Sequence, residues 1–258
     1  MATAFSFYGK LPQFGDFVRY NASGTEIRTF DDWLQEGLIY TKRIMGSAYA
    51  EHFNMLNFGF IYPCIETNKL LIGVLQASSD KVGRHYPFYA ATVVNYREIF
   101  VDEKVLISSW ISDYLTNVIE FISGLSQYRE LSRIKKNFIR LTEGILNQYQ
   151  GDGKVQSVSN AADVSSTDYP PVTIHIDPDQ GFQFKIPSGD PANAGMLLQT
   201  TVVAENPLCI FWHYLLPISY MYIVPAVPPP QIFASIFDPR IQSEYLLKID
   251  IDTSGGTR

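Results

Sequence analysis

The chain has 258 residues, 46% hydrophobic and 14% aromatic, enough apolar mass for one large domain or two small ones around an aromatic-rich core. Its net charge of −6 argues against a general nucleic-acid binder, which would need a basic footprint. The two cysteines, Cys64 and Cys209, sit in apolar runs and read as buried thiols of a reducing compartment. The N-terminal MATAFSFYGK lacks a basic n-region and does not read as a secretory leader. No apolar run is long enough to predict a membrane span.

Thr3 to Tyr8 alternates and is aromatic, so it reads as a strand. Gly9 to Ser23 is punctuated by Gly, Pro, Asp and Asn and reads as an ordered loop. Thr29 is placed to cap a helix with Asp31 and Asp32 in its first turn. Phe30, Trp33, Leu34, Leu38, Tyr40, Thr41, Ile44 and Met45 give that helix a wide apolar face, and Gly46 stops it. A short helical turn is expected over 47–52. Met55 to Tyr62 is a strand expected to end at Pro63, and 70–75 and 88–95 are apolar strands. Asp102 and Ser126 are candidate caps for two helices ending near Gly124 and Gln150. The second carries Arg129, Arg133, Lys135, Lys136 and Arg140 on one side, a pattern typical of a solvated face.

Gly151 to Pro171 is rich in Gly, Ser, Asp and Thr and reads as a linker or long loop. Residues 172–176 and 181–186 look like a hairpin around Asp177-Pro178-Asp179-Gln180, and 191–204 like a helix. Residues 208–216 and 219–224 are apolar strands, and Pro228 to Pro230 leads into a last helix over 231–237. This order predicts the α/β or α+β class: a central mixed or antiparallel sheet with helices packed on its faces. The expected organisation is an N-terminal lobe over 1–150, the linker over 151–171, and a strand-rich part over 172–250 that completes the same domain.

Familiar chemistry is missing. His52, His85, His175 and His213 are scattered, with no HExxH, so no metal is expected. Neither a Walker A loop nor GxGxxG occurs, so no nucleotide cofactor is expected. Ser78-Ser79-Asp80-Lys81 fits S-x-x-K but lacks the companion motifs of a serine nucleophile. What stands out is 76–88, QASSDKVGRHYPF, a charged connection between two apolar strands. Gly83 there permits a left-handed backbone, and Pro87 pushes Tyr86 toward extended geometry.

These residues carry a resemblance. SSDKVGRHYPF resembles the PSxDxVGRxFP signature of the TagF family of type VI secretion accessory proteins. Phe7-Tyr8-Gly9-Lys10-Leu11-Pro12 with Gly15-Asp16-Phe17-Val18 resembles its FGKLPxxGDFV, and Phe30 to Leu38 its WDxWLQxGL. Gln76-Ala77-Ser78 departs from the usual Pro-Ser, and Phe211-Trp212 stands where the family has a C-terminal Trp pair. The resemblance covers roughly the first hundred residues, in family order. It implies a non-catalytic cytoplasmic regulator that represses type VI secretion after translation by engaging the forkhead-associated protein, Fha. It also implies the stand-alone form, because the chain leaves no room for the phosphatase to which the family is sometimes joined. Lys10, Asp16, Asp80 and Arg84 fall in these motifs and are the candidate residues, either for organising loops or for binding protein. Arg84 is expected to be buried against Asp16 or Asp80. The alternatives are an enzyme of unknown reaction built on the same four residues, or a structural scaffold of the apparatus.

Overall fold

The structure, a computed structural model, describes residues 4–98, 100–101, 104–105, 109–150, 173–175, 180–186, 201–203, 207–214 and 219–250. The segment read as a linker, 151–171, and most of the helix expected over 191–204 lie outside the described residues.

A nine-stranded sheet runs through the molecule. Its strands are β1 (Ala4–Gly9), β2 (Val18–Tyr20), β3 (Asn57–Cys64), β4 (Lys69–Gln76), β5 (Phe88–Asn95), β9 (Gly181–Ile186), β11 (Leu208–Trp212), β12 (Ser219–Pro225) and β13 (Leu246–Asp250). Their spatial order is β13-β9-β12-β11-β3-β4-β5-β1-β2, antiparallel throughout except for the parallel pair β13 and β9. A four-stranded sheet holds β6 (Phe100–Val101), β7 (Lys104–Val105), β10 (Thr201–Val203) and β8 (Thr173–His175), in that order. The helices are α1 (Thr25–Met45), α2 (Ala48–Phe53), α3 (Ser109–Ser123), α4 (Leu131–Gln150) and α5 (Pro230–Phe237). The fold is α/β, with a mixed sheet and helices on both of its faces.

Alternation along the central strands explains the two-sided core. Phe58, Phe60 and Tyr62 of β3 and Leu71 and Leu75 of β4 meet α1, α2 and α5. Ile61, Leu70, Ile72 and Val74 point the other way, toward α3 and α4. Strands apolar on both sides read as continuous runs in the sequence, and these do. Trp33 of α1 lies at the centre of the first layer. It stacks on Phe211 at 5.1 Å and donates its indole N–H to the Pro228 carbonyl at 2.8 Å. Each aromatic of this size, when fully buried, contributes roughly 1.5–3 kcal/mol. Gly37 lets α1 press onto α5, because a Cβ there would fall 2.4 Å from the Phe233 ring.

Several expectations are corrected. Helix α1 starts at Thr25, and Thr29 lies inside it, its hydroxyl donating to the Thr25 carbonyl at 3.0 Å instead of capping. Pro63 does not end β3; the β11 pairing reaches only Ile61, so Pro63 has a neighbour on one side, where a missing N–H is tolerated. Residues 104–105 are strand and α3 begins at Ser109; α4 begins at Leu131 after a 3-10 turn at Leu125–Gln127. Strands β8 and β9 form no hairpin: β8 pairs with β10 and β9 with β12. Thr201–Val203, expected as the end of a helix, is strand β10. Strand β13 was not foreseen.

Candidate functional site

The β4–β5 connection folds back on itself before it meets anything else. The Ser79 and His85 backbones form an isolated bridge, and the Tyr86 amide donates to the Ser78 carbonyl at 3.1 Å. The Asp80 amide donates to the Arg84 carbonyl at 3.1 Å, and the Gly83 amide to the Asp80 carbonyl at 2.9 Å. Gly83 takes φ 83°, the left-handed conformation that closes this turn. The predicted turn glycine is therefore where the backbone needs it.

Asp80 sits inside the turn with a side chain that is fully buried. Its Oδ1 accepts from the backbone amides of Val82 at 3.1 Å and Arg84 at 2.9 Å. Its Oδ2 accepts from Arg84 Nε at 2.6 Å and faces Lys10 Nζ at 3.1 Å. Burial raises the Asp80 carboxyl, but the Arg84 amide, Lys10, the Arg84 guanidinium and the Val82 amide outweigh it. The net result holds Asp80 well below the usual carboxylate range. Both oxygens are saturated, and the carboxylate is a permanent anion at neutral pH.

Lys10 arrives from the end of β1 and is buried. Its ammonium also lies 5.1 Å from the centroid of the Phe17 ring. The approach depends on Gly9, at φ 141°, where a Cβ would fall 2.2 Å from the Pro87 carbonyl oxygen. The two sequence motifs are thus in direct contact. Further bonds tie the β1–β2 loop to the turn: the Lys81 amide donates to the Phe14 carbonyl at 2.8 Å, and Arg84 Nη2 to the Gly15 carbonyl at 2.8 Å. Around them Tyr8 stacks on Phe17 at 5.1 Å, and Phe17 meets Tyr86 edge-on at 4.9 Å. The Tyr86 hydroxyl donates to Asp31 of α1 in a short contact. His85 stacks on Phe53 of α2 at 4.7 Å, so the turn is braced from three elements.

Of the four predicted residues, Lys10, Asp80 and Arg84 meet. Asp16 does not: it is exposed, and its carboxylate accepts from the Phe17 amide at 2.8 Å. A bond from the next amide in the chain engages the side chain that the sequence reading offered to Arg84. Arg84 was expected to be buried, yet its side chain is 61% exposed; only one edge of the guanidinium faces Asp80, and the rest faces outward. The basic side of α4 is as expected: Arg133, Lys136 and Arg140 are exposed, with Arg133 3.8 Å from Glu130.

The sequence reading missed a second charged cluster. Asp238, after α5, accepts from Arg240 through its backbone amide at 3.0 Å, Nε at 2.9 Å and Nη2 at 2.7 Å. Arg240 also donates to His52 Nε2, and His52 Nδ1 reaches the Ala48 carbonyl at 2.9 Å. The side-chain bond from Arg240 is the main reason the Asp238 carboxyl lies below its ordinary range. Asp-Pro-Arg after a helix was the available local signal, but His52 is far away in sequence. Nearby His213 is buried, with Nε2 2.7 Å from the Ile236 carbonyl, and burial pushes its pKa down to about 4.

No group of three or more His, Cys, Asp or Glu side chains that could hold a metal occurs among the described residues. No helix among them is long and apolar enough to cross a membrane. The sequence model of the TagF N-terminal domain, type VI secretion system-associated, matches residues 6–137, a span that includes Lys10, Asp16, Asp80 and Arg84. No curated protein sequence matches the chain. Among solved structures, the crystal structure of PA0076 from Pseudomonas aeruginosa PAO1 is similar, with a TM-score of 0.57 and 16% identity over 93% of this chain and 96% of that one. At that identity the likeness is one of fold.

Proposed function

This chain belongs to the TagF family of type VI secretion-associated proteins, and on that premise we propose that it is a non-catalytic cytoplasmic repressor that binds the Fha component of the apparatus after translation. The observation that carries the non-catalytic reading is the saturation of Asp80. A general base or nucleophile must keep a lone pair for its substrate, and each Asp80 oxygen already holds two donors. Lys10 is buried and paired. The charges serve to fix a loop, and a fixed loop with an exposed rim suits recognition of a protein.

A secretion assay tests the role. Deleting the gene should raise release of a type VI substrate, and restoring the chain from a plasmid should lower it again. Abolished secretion on deletion would make the protein a scaffold instead. Purified chain mixed with purified Fha should form a complex on size exclusion, and its absence would remove Fha as the partner.

A further inference from the structure

We infer that the rim of the Asp80 turn, centred on Val82 and Arg84, is the surface that docks the partner, and that it takes a segment carrying a carboxylate beside an apolar side chain. This rests on the Fha reading above. Val82 is 71% exposed, apolar, and lies at the outermost point of the turn. Lys81 and Arg84 flank it, both exposed. Across the loop Phe17 is 38% exposed.

The charges within reach do not cancel at this rim. Asp80 is fully buried and spent on Lys10, Arg84 and two amides. Asp16 accepts from the Phe17 amide through Oδ1 and is the one exposed carboxylate on this loop. Lys81 and Arg84 outnumber it, an outward cationic excess on a chain whose net charge is −6. Arg84 uses Nε on Asp80 and Nη2 on Gly15 while most of its side chain stays exposed, and a guanidinium held by two bonds meets a carboxylate with little further loss of freedom. The same bonds make the tip rigid, which lowers the entropy cost of docking Val82 into an apolar partner site. An acidic-apolar segment satisfies both groups at once.

The test is calorimetric titration of the purified full chain with purified Fha. Val82→Glu puts a like charge into the contact and keeps the Val82 backbone amide on Asp80, so its melting curve should match wild type while affinity falls at least ~10-fold. Raising salt from 0.05 to 0.5 M should weaken wild-type binding more than that of Val82→Glu. Ile39→Glu, at a comparably exposed apolar site on α1, and the α4 pair Lys136→Glu and Arg140→Glu should bind as wild type. If wild type binds and Val82→Glu binds equally well, the rim is not the docking surface, though the Fha reading stands. Loss of binding through the α4 pair alone would likewise overturn the rim in favour of that basic face. If wild type itself fails to bind Fha, the functional reading falls, and this inference with it.

Discussion

Asp80 and Asp238 each fold an arginine back onto a turn, with a carboxylate that accepts from both the backbone amide and the guanidinium of the same residue. In both, the guanidinium is mostly exposed: 61% of the side chain for Arg84, 71% for Arg240. They differ in the second cation. Asp80 draws the buried ammonium of Lys10 to 3.1 Å from another strand. Asp238 has only the His52 ring at 3.8 Å, through the same nitrogen that accepts from Arg240. The same local motif is therefore an interlock in one place and a surface clasp in the other. The deciding factor is a remote lysine.

The largest way to expose the difference is to remove each carboxylate charge. Asp80→Asn strands the Lys10 ammonium in the interior and should lower Tm by roughly 10 °C. Asp238→Asn leaves partners that reach water, and roughly 4 °C is expected. Equal shifts in differential scanning fluorimetry would mean that burial of the second cation does not separate the two sites.

Acid comes next. Asp80 ionises below its ordinary 3.8, so its contribution is complete above that pH and is lost as pH falls further. His213, beside the Asp238 end, is kept neutral: burial lowers it from 6.5 to about 4. An unfolded chain takes up that proton between pH 6.5 and 4 and the folded chain does not, so stability falls across this window by on the order of 3 kcal/mol. Melts from pH 7 to 4 should show a decline that His213→Gln flattens and Asp80→Asn leaves in place. An unchanged slope in His213→Gln would assign the decline elsewhere.

Removing the second cation is a smaller change. Lys10→Met fills the same space and leaves Asp80 with Arg84 and two amides, for a loss of roughly 5 °C; His52→Gln should cost about 1 °C. A double-mutant cycle of Lys10→Met with Asp80→Asn should show strong coupling, and one of His52→Gln with Asp238→Asn almost none.

Arg84→Lys is milder than the loss of Lys10. An ammonium cannot span Asp80 and the Gly15 carbonyl as the planar fork does, and about 2 °C is expected. A shift as large as that of Asp80→Asn would show the outward guanidinium to be more confined than its exposure implies.

How much of this the sequence revealed depended on distance along the chain. Asp80 and Arg84 are four residues apart, with Gly83 marking the turn, so their pairing was readable locally. The apolar runs of β3, β4, β5, β11 and β12 were readable because strands covered on both faces need no alternation. Asp16 and Arg84 were misjudged because burial is a tertiary quantity: an exposed aspartate satisfied itself on the next amide, and a guanidinium can pair along one edge while its other edge meets water. Strand β13 escaped because Leu246–Asp250 mixes apolar and charged residues, as an edge strand does. The Asp238 cluster escaped because its histidine comes from α2.

Gly9 turns one of these contacts into a genetic handle. Only a hydrogen fits between its Cα and the Pro87 carbonyl oxygen. A methyl group there is a wedge: it must prise the end of β1 from β5 and draw Lys10 away from Asp80, while the Trp33 layer across the sheet keeps its own contacts. Gly9→Ala should therefore yield a conditional allele, folded and silent at low temperature and losing the turn's alignment on warming, so that whatever the turn does could be switched off in a living culture by a shift of the thermostat.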